Sequence, residues 1–212
     1  MHIYAFGSIC RGEIEFSSDT DLIAIIKEFD DIKLNQKKFS IYKYSRIKEL
    51  WEQGNPFAWH LFLEAKLIYS FDNSNLFIEL REPNKYSTYL EDMMIFYEFY
   101  ISNYNSILSS EYTRVFDLSN IFLSIRNFAT SYSLGILRKP NFSRNSALQL
   151  GHDSLKLCES NYKLLERSRI LSTRATGNPI SNREIDEAVV NLSCIKQWME
   201  NLIIKSQKYE RV

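Results

Sequence analysis

Four things are scarce in this chain of 212 residues: net charge, cysteine, histidine and long apolar runs. Lys plus Arg and Asp plus Glu both number 26, so the formal net charge is zero and no global pull toward nucleic acid or an anionic membrane is expected. An anionic substrate must then be held by local geometry. The three cysteines, Cys10, Cys158 and Cys194, are odd in number and lack close pairing, and the three histidines, His2, His60 and His152, are scattered. That usage fits neither a disulfide framework nor a zinc site and suits a reduced, cytoplasmic protein. No apolar stretch approaches the ~20 residues that a membrane-spanning helix needs. The first residues run into a strand pattern rather than a basic and then apolar leader, so neither a secretory signal nor a membrane partner is expected.

What is present is core-forming material. Hydrophobic residues make up 45% of the chain and aromatics 14%, with 13 Tyr and 14 Phe, which points to aromatic packing between helices. The first third alternates short apolar runs with turns. Strands are expected at 3–6, 22–26, 39–44 and 67–71, with short helices at 46–53, 57–65 and 76–80. Arg81-Glu82-Pro83-Asn84 marks a boundary, giving a small sheet domain over 1–82 and a helical domain over 83–212. Beyond it the apolar period is that of helices. Leu90, Met94, Tyr97, Ile101, Tyr104 and Leu108 form one stripe, and Tyr112, Val115, Ile121, Ile125, Phe128 and Tyr132 a second. A third helical region spans 145–171, as one helix or as two split at Gly151. The last opens on a capping box, Ser181 with Glu184, and turns Ile185, Val189, Leu192, Ile195, Met199 and Leu202 inward. The expected class is α+β, a small sheet domain followed by an antiparallel bundle of about four helices.

The stretch from Ile3 to Ile26 holds the residue types best suited to chemistry. An apolar strand ends at Phe6 and is followed by Gly7-Ser8, a turn in which backbone N–H groups can approach a phosphate closely with a hydroxyl as a further donor. Asp19 and Asp21 then lead into the next strand. Side chains alternate along a strand, so two acids separated by one residue point to the same side and can share a divalent cation.

Gly7-Ser8, ten intervening residues and Asp19-Thr20-Asp21-Leu22 together resemble the signature of the DNA polymerase beta-like nucleotidyltransferase superfamily. The likeness is closer to the minimal and the aminoglycoside nucleotidyltransferases, since Phe6-Gly7-Ser8, Arg11-Gly12 and Ser18-Asp19 resemble their FGS, RG and SD steps. It covers about the first third of the chain. The resemblance implies that Asp19 and Asp21 bind magnesium and that Gly7 and Ser8 receive the triphosphate, with Arg11 and Ser18 assisting. It further implies transfer of a nucleotidyl group, with ATP the expected nucleotide, to a hydroxyl of a small molecule or a protein, with pyrophosphate released. Nucleic acid is not indicated as a partner, and a homodimer is compatible with this organisation.

Active members of that superfamily carry a third acid on the next strand. Ser40, or less readily Tyr42, stands there in this chain. Glu49, Glu64, Glu91 or Glu187 is each a candidate replacement brought in by folding. The missing acid leaves two readings: a working transferase, or a nucleotide-binding or regulatory protein that kept the fold and lost turnover. His60 and Glu64, four apart on a helix, read as a partly buried pair rather than a ligand set. Arg126-Asn127 with Ser131 resembles the Arg-x4-His ribonuclease motif of HEPN helical proteins, but the histidine is absent and RNA cleavage is not expected.

Overall fold

A computed structural model describes residues 1–13, 20–28 and 34–209 of the chain. It is α+β, a four-stranded mixed sheet followed by several helices, and divides into two compact units, Met1–Ser87 and Thr88–Val212.

In the first unit the strands are β1 (His2–Phe6), β2 (Asp21–Ile26), β3 (Ser40–Lys43) and β4 (Lys66–Ser70), in the spatial order β3-β2-β1-β4. β1 is antiparallel to both β2 and β4, and β2 is parallel to β3. Register sets Tyr4 opposite Ile23 and Phe6 opposite Asp21, so one face of the sheet presents Tyr4, Phe6, Ile23 and Ile25 to the helices. Three helices supply the other half of that core: α1 (Tyr44–Glu52), α2 (Pro56–Glu64) and α3 (Leu76–Leu80). The Phe77 ring of α3 stacks on Tyr4 at 4.1 Å and on Trp51 of α1 at 5.0 Å. Asn55 starts α2 by accepting a hydrogen bond from the Phe57 N–H at 2.8 Å, with Pro56 at the first helical position where its missing donor costs nothing. Arg81-Glu82-Pro83-Asn84 is not a free linker. Its Arg81 carbonyl accepts from the Trp51 indole at 2.8 Å, and Asn84 bonds back to both Trp51 and Glu52.

The second unit contains α4 (Tyr89–Ser109), α5 (Arg114–Gly135), α6 (Glu159–Arg174), α7 (Asn182–Val189) and α8 (Leu192–Tyr209). α5 is its centre, packing against α4, α6 and α8 with Leu118, Ile121, Ile125, Phe128 and Tyr132 all fully buried. α4 and α5 run antiparallel, with Tyr89 against Gly135 at one end and Ser106 bonded to Asp117 at the other. A buried amide pair, Asn120 donating to Asn103 at 2.9 Å, fixes their register. The buried face of α4 is centred on Met93, Tyr100, Asn103 and Ile107, one residue before the stripe expected from the apolar pattern. Leu90, Tyr97, Ile101 and Tyr104 flank it, whereas Met94 and Leu108 are exposed. Tyr112, expected at the head of the α5 stripe, precedes the helix and is wholly exposed.

Two further expectations are corrected. The region 145–158 holds only two 3-10 turns, Ser146–Leu148 and Gly151–Asp153, and the helix begins at Glu159. Asp153 pins that loop to the helices, accepting from Tyr132 at 2.8 Å and from Lys205 at 2.6 Å, while its carbonyl accepts from the Trp198 indole. The last helical region does open on the Ser181–Glu184 capping box, but it breaks at Val190-Asn191 into α7 and α8, which share the expected inner face. Among the described residues no helix is long and apolar enough to cross a membrane.

Candidate phosphate and metal site

β1 ends at Phe6, and the chain then tightens into a 3-10 turn, Gly7–Arg11, closed by Gly12. Gly7 has φ +78. A Cβ on it would sit 2.6 Å from Oδ2 of Asp21, so the Asp21 carboxylate lies directly over the backbone of the turn. Glycine is required there twice, by the left-handed backbone and by that close approach. Asp21 is the first residue of β2, cross-strand from Phe6, and is exposed. The structure therefore joins Gly7, Ser8 and Asp21 within one β1–turn–β2 unit. Ser18 and Asp19, the remaining two expected site residues on this connection, lie outside the described residues.

Arg11 is built into the scaffold. Its Nη1 pairs with Oε2 of Glu64 at 2.5 Å and its Nε with Oε2 of Glu13 at 3.0 Å. The same Glu64 oxygen lies 2.9 Å from Nε2 of His60, one turn earlier on α2. His60 in turn meets the Phe6 ring edge-on at 5.7 Å, as does Phe57. α2 is thus seated through Phe57 and His60 on the last residue of β1, and its final residue ties down the turn that follows. The three side chains are only 15–18% exposed. Burial alone would raise the Glu64 carboxyl, but the hydrogen bond and charge of His60, together with Arg11, outweigh it and hold the group below its usual value.

A depressed carboxylate contributes stability that is fully present above its unfolded value near 4.5 and is lost as pH falls through the lower folded value. Glu64→Gln is accordingly expected to lower the stability of the first unit by about 1–3 kcal/mol at neutral pH. The wild-type advantage should shrink below pH ~4. Urea titrations at neutral and acid pH check both statements, and a deficit independent of pH would contradict them.

Of the two candidate replacements for the absent third carboxylate that belong to the first unit, Glu64 reaches the Gly7–Arg11 turn, and it is already shared by Arg11 and His60. Glu49 is exposed on α1 and paired with Arg46 at 2.6 Å. Glu91 and Glu187 belong to the second unit, where Glu187 pairs with Arg183 at 3.0 Å. On β3, Ser40 stands opposite Ile23 and Tyr42 opposite Ile25, on the face that also carries Asp21. Ser40 is exposed, whereas Tyr42 turns its ring toward Phe57 at 5.7 Å. Neither is a carboxylate.

Among the described residues no three His, Cys, Asp or Glu side chains are grouped to hold a metal. Asp21 still offers hard oxygen donors of the kind magnesium takes, beside a backbone cleared of Cβ. In the second unit Ser131 is buried at 2% exposure on α5, and the Arg126 carbonyl accepts from Ser146 at 3.1 Å.

The Arg11–Glu64 bond is the feature that sequence reasoning missed. The residues are 53 positions apart, and only the local His60–Glu64 spacing was visible. No protein-family model matches the chain, and no curated protein matches it in sequence.

Proposed function

We propose that the chain is a magnesium-dependent nucleotidyltransferase of the DNA polymerase beta-like kind, with a catalytic-type domain over 1–82 and an antiparallel helical bundle over 83–212. It would move a nucleotidyl group, from ATP as the expected donor, to a hydroxyl of a small molecule or a protein. The observation that carries the reading is the Asp21 carboxylate lying 2.6 Å from the Cβ position that Gly7 leaves empty. An acid and a bare backbone turn at that spacing can serve one phosphate chain from two sides.

Each residue has a part that its chemistry supports. Gly7 lets a phosphate oxygen approach main-chain N–H groups, and the Ser8 hydroxyl adds a donor. Arg11 places a positive charge at the far end of the 3-10 turn, aimed by Glu64. Asp19 and Asp21 would hold magnesium, which supplies positive charge to the oxygens of the transferred group and the leaving pyrophosphate. In the reaction an acceptor oxygen forms a bond to the α-phosphorus, the bond from that phosphorus to the bridging oxygen breaks, and the hydroxyl proton leaves with a base.

The test is transfer of label from α-labelled ATP in the presence of magnesium, using the full chain and a panel of hydroxyl acceptors that includes the protein itself. Transfer is expected for the wild type and none for the Asp19→Ala, Asp21→Ala double variant. Equal transfer by both would overturn the site assignment. One observation favours a second reading: Ser40 occupies the β3 position where a third acid is expected. On that reading the protein binds nucleotide through the same turn without turnover, and ATP binds in the presence of magnesium while no acceptor takes label.

A further inference from the structure

Two elements of the second unit enclose a cavity of about 330 Å³, α8 on one side and the stretch 152–156 on the other. That stretch is held in place. Leu155 is buried and its N–H donates to the Ala147 carbonyl at 2.8 Å, the Ser154 hydroxyl accepts from the Leu150 N–H at 2.8 Å, and the Asp153 carbonyl takes the Trp198 indole N–H. Small-molecule sites are largely formed before the ligand arrives and span about 300–1,000 Å³, so this cavity suits a compact ligand. On α8, Gln197, Trp198 and Asn201 are three or four residues apart and line it from one side of the helix.

The groups that the wall leaves unused select the ligand. Asp153 is spent, since Lys205 donates to both its carboxylate oxygens at 2.7 and 2.6 Å and Tyr132 to one of them at 2.8 Å, and His152 already faces its charge. Among the described residues no hydrogen bond or ion pair engages Lys156, Gln197 or Asn201, and all three line the cavity. Lys156 therefore offers a positive charge to one anionic group. Each amide sets a donor beside an acceptor, the arrangement that pairs with the N6 and N7 edge of adenine. The half-buried Trp198 ring, braced by the Phe128 ring at 5.3 Å, adds a flat apolar surface on which a base can stack. We propose that this cavity binds an adenine nucleoside monophosphate, with the base on Trp198 against the Gln197 and Asn201 amides and the phosphate on Lys156. One lysine and this volume suit a single phosphate and not a triphosphate. The site is thus distinct from the Gly7 turn, which belongs to the other unit.

Titration of the full chain with AMP, followed by tryptophan fluorescence with divalent metals chelated, tests the proposal. Saturable quenching below about 10 mM AMP is expected for the wild type and for the Asp19→Ala, Asp21→Ala variant, and none for Trp198→Phe. Lys156→Ala and Asn201→Ala, both at exposed positions, should each weaken binding about tenfold with an unchanged far-ultraviolet spectrum. The proposal is overturned if AMP does not bind in that range, if quenching persists in Trp198→Phe, or if both alanine variants bind as the wild type does. Ribose 5-phosphate binding as tightly as AMP would also overturn it, since the cavity would then hold an anion without reading a base. Loss of AMP binding in the double aspartate variant would assign that binding to the Gly7 turn and overturn the cavity site.

Discussion

Replacing Asp21 by alanine is expected to cut nucleotidyl transfer by more than about 100-fold, beyond the 10- to 100-fold typical of removing a group that merely supports a metal ligand. The same change should alter unfolding free energy by no more than about 1 kcal/mol. The separation of the two effects follows from where the residue sits. Asp21 is exposed at the first position of β2, and its pairing with Phe6 runs through the backbone, which alanine preserves. Its side chain shares the sheet face of Phe6, Ile23 and Ile25 but lies exposed at the end of it, outside the buried cluster that the helices cover. What alanine removes is a negative charge lying over the Gly7 turn. Asp21→Asn keeps the shape and discards the charge, and should lose nearly as much transfer. An asparagine variant with wild-type transfer would show that the carboxylate is there for shape, not for holding a cation.

Gly54→Ala should be the most damaging single-methyl change in the first unit, costing more than about 4 kcal/mol, a size reached only when backbone or buried groups must be displaced. Gly54 has φ +62, which alone costs a side chain about 1–2 kcal/mol. The larger part is steric. An added Cβ would lie 2.4 Å from the Asn84 carbonyl oxygen and 2.5 Å from that of Lys85. Neither can retreat cheaply, because Asn84 is held by three hydrogen bonds: its N–H to Trp51 at 3.0 Å, its amide to Glu52 at 2.7 Å, and its carbonyl from the Trp59 indole at 3.0 Å. Since whole domains are stable by only about 5–15 kcal/mol, the variant should unfold at markedly lower urea. Fluorescence of Trp51 and Trp59 reports the transition. Gly12→Ala, in the same unit, is the control for strain alone, with φ +74 and no described atom within 4 Å of the added methyl. If the two variants melt alike, close packing at Gly54 is not what makes glycine necessary.

The parts of the fold legible in the sequence are those set by neighbours in the chain. β1 and β2 were visible from apolar runs, α3 from its own short pattern, and the start of α7 from the Ser181–Glu184 spacing, because each rests on contacts within a few residues. The face of α4 was misplaced by one residue for a nonlocal reason. Asn103 looks like a solvent position until Asn120 on α5 satisfies its amide, and with that pair inside, Met94 and Leu108 turn outward. The split between α7 and α8 was hidden because both halves keep the same apolar period across it. At the candidate site, Gly7 and Asp21 could be named from the motif, but the closeness of their approach is a property of strand pairing. The Arg11–Glu64–His60 cluster was legible only in its helical half, since α2 reaches the turn through packing on Phe6.

The central claim is that the Gly7 turn and Asp21, together with Asp19, bind the phosphates of a nucleotide and magnesium. Titration calorimetry of the full chain with ATP, run with magnesium and again with the metal chelated, tests it most directly. The account predicts saturable binding that needs magnesium and that disappears in the Asp19→Ala, Asp21→Ala variant. No heat of binding in the presence of magnesium, or binding unchanged by the double substitution, would contradict it.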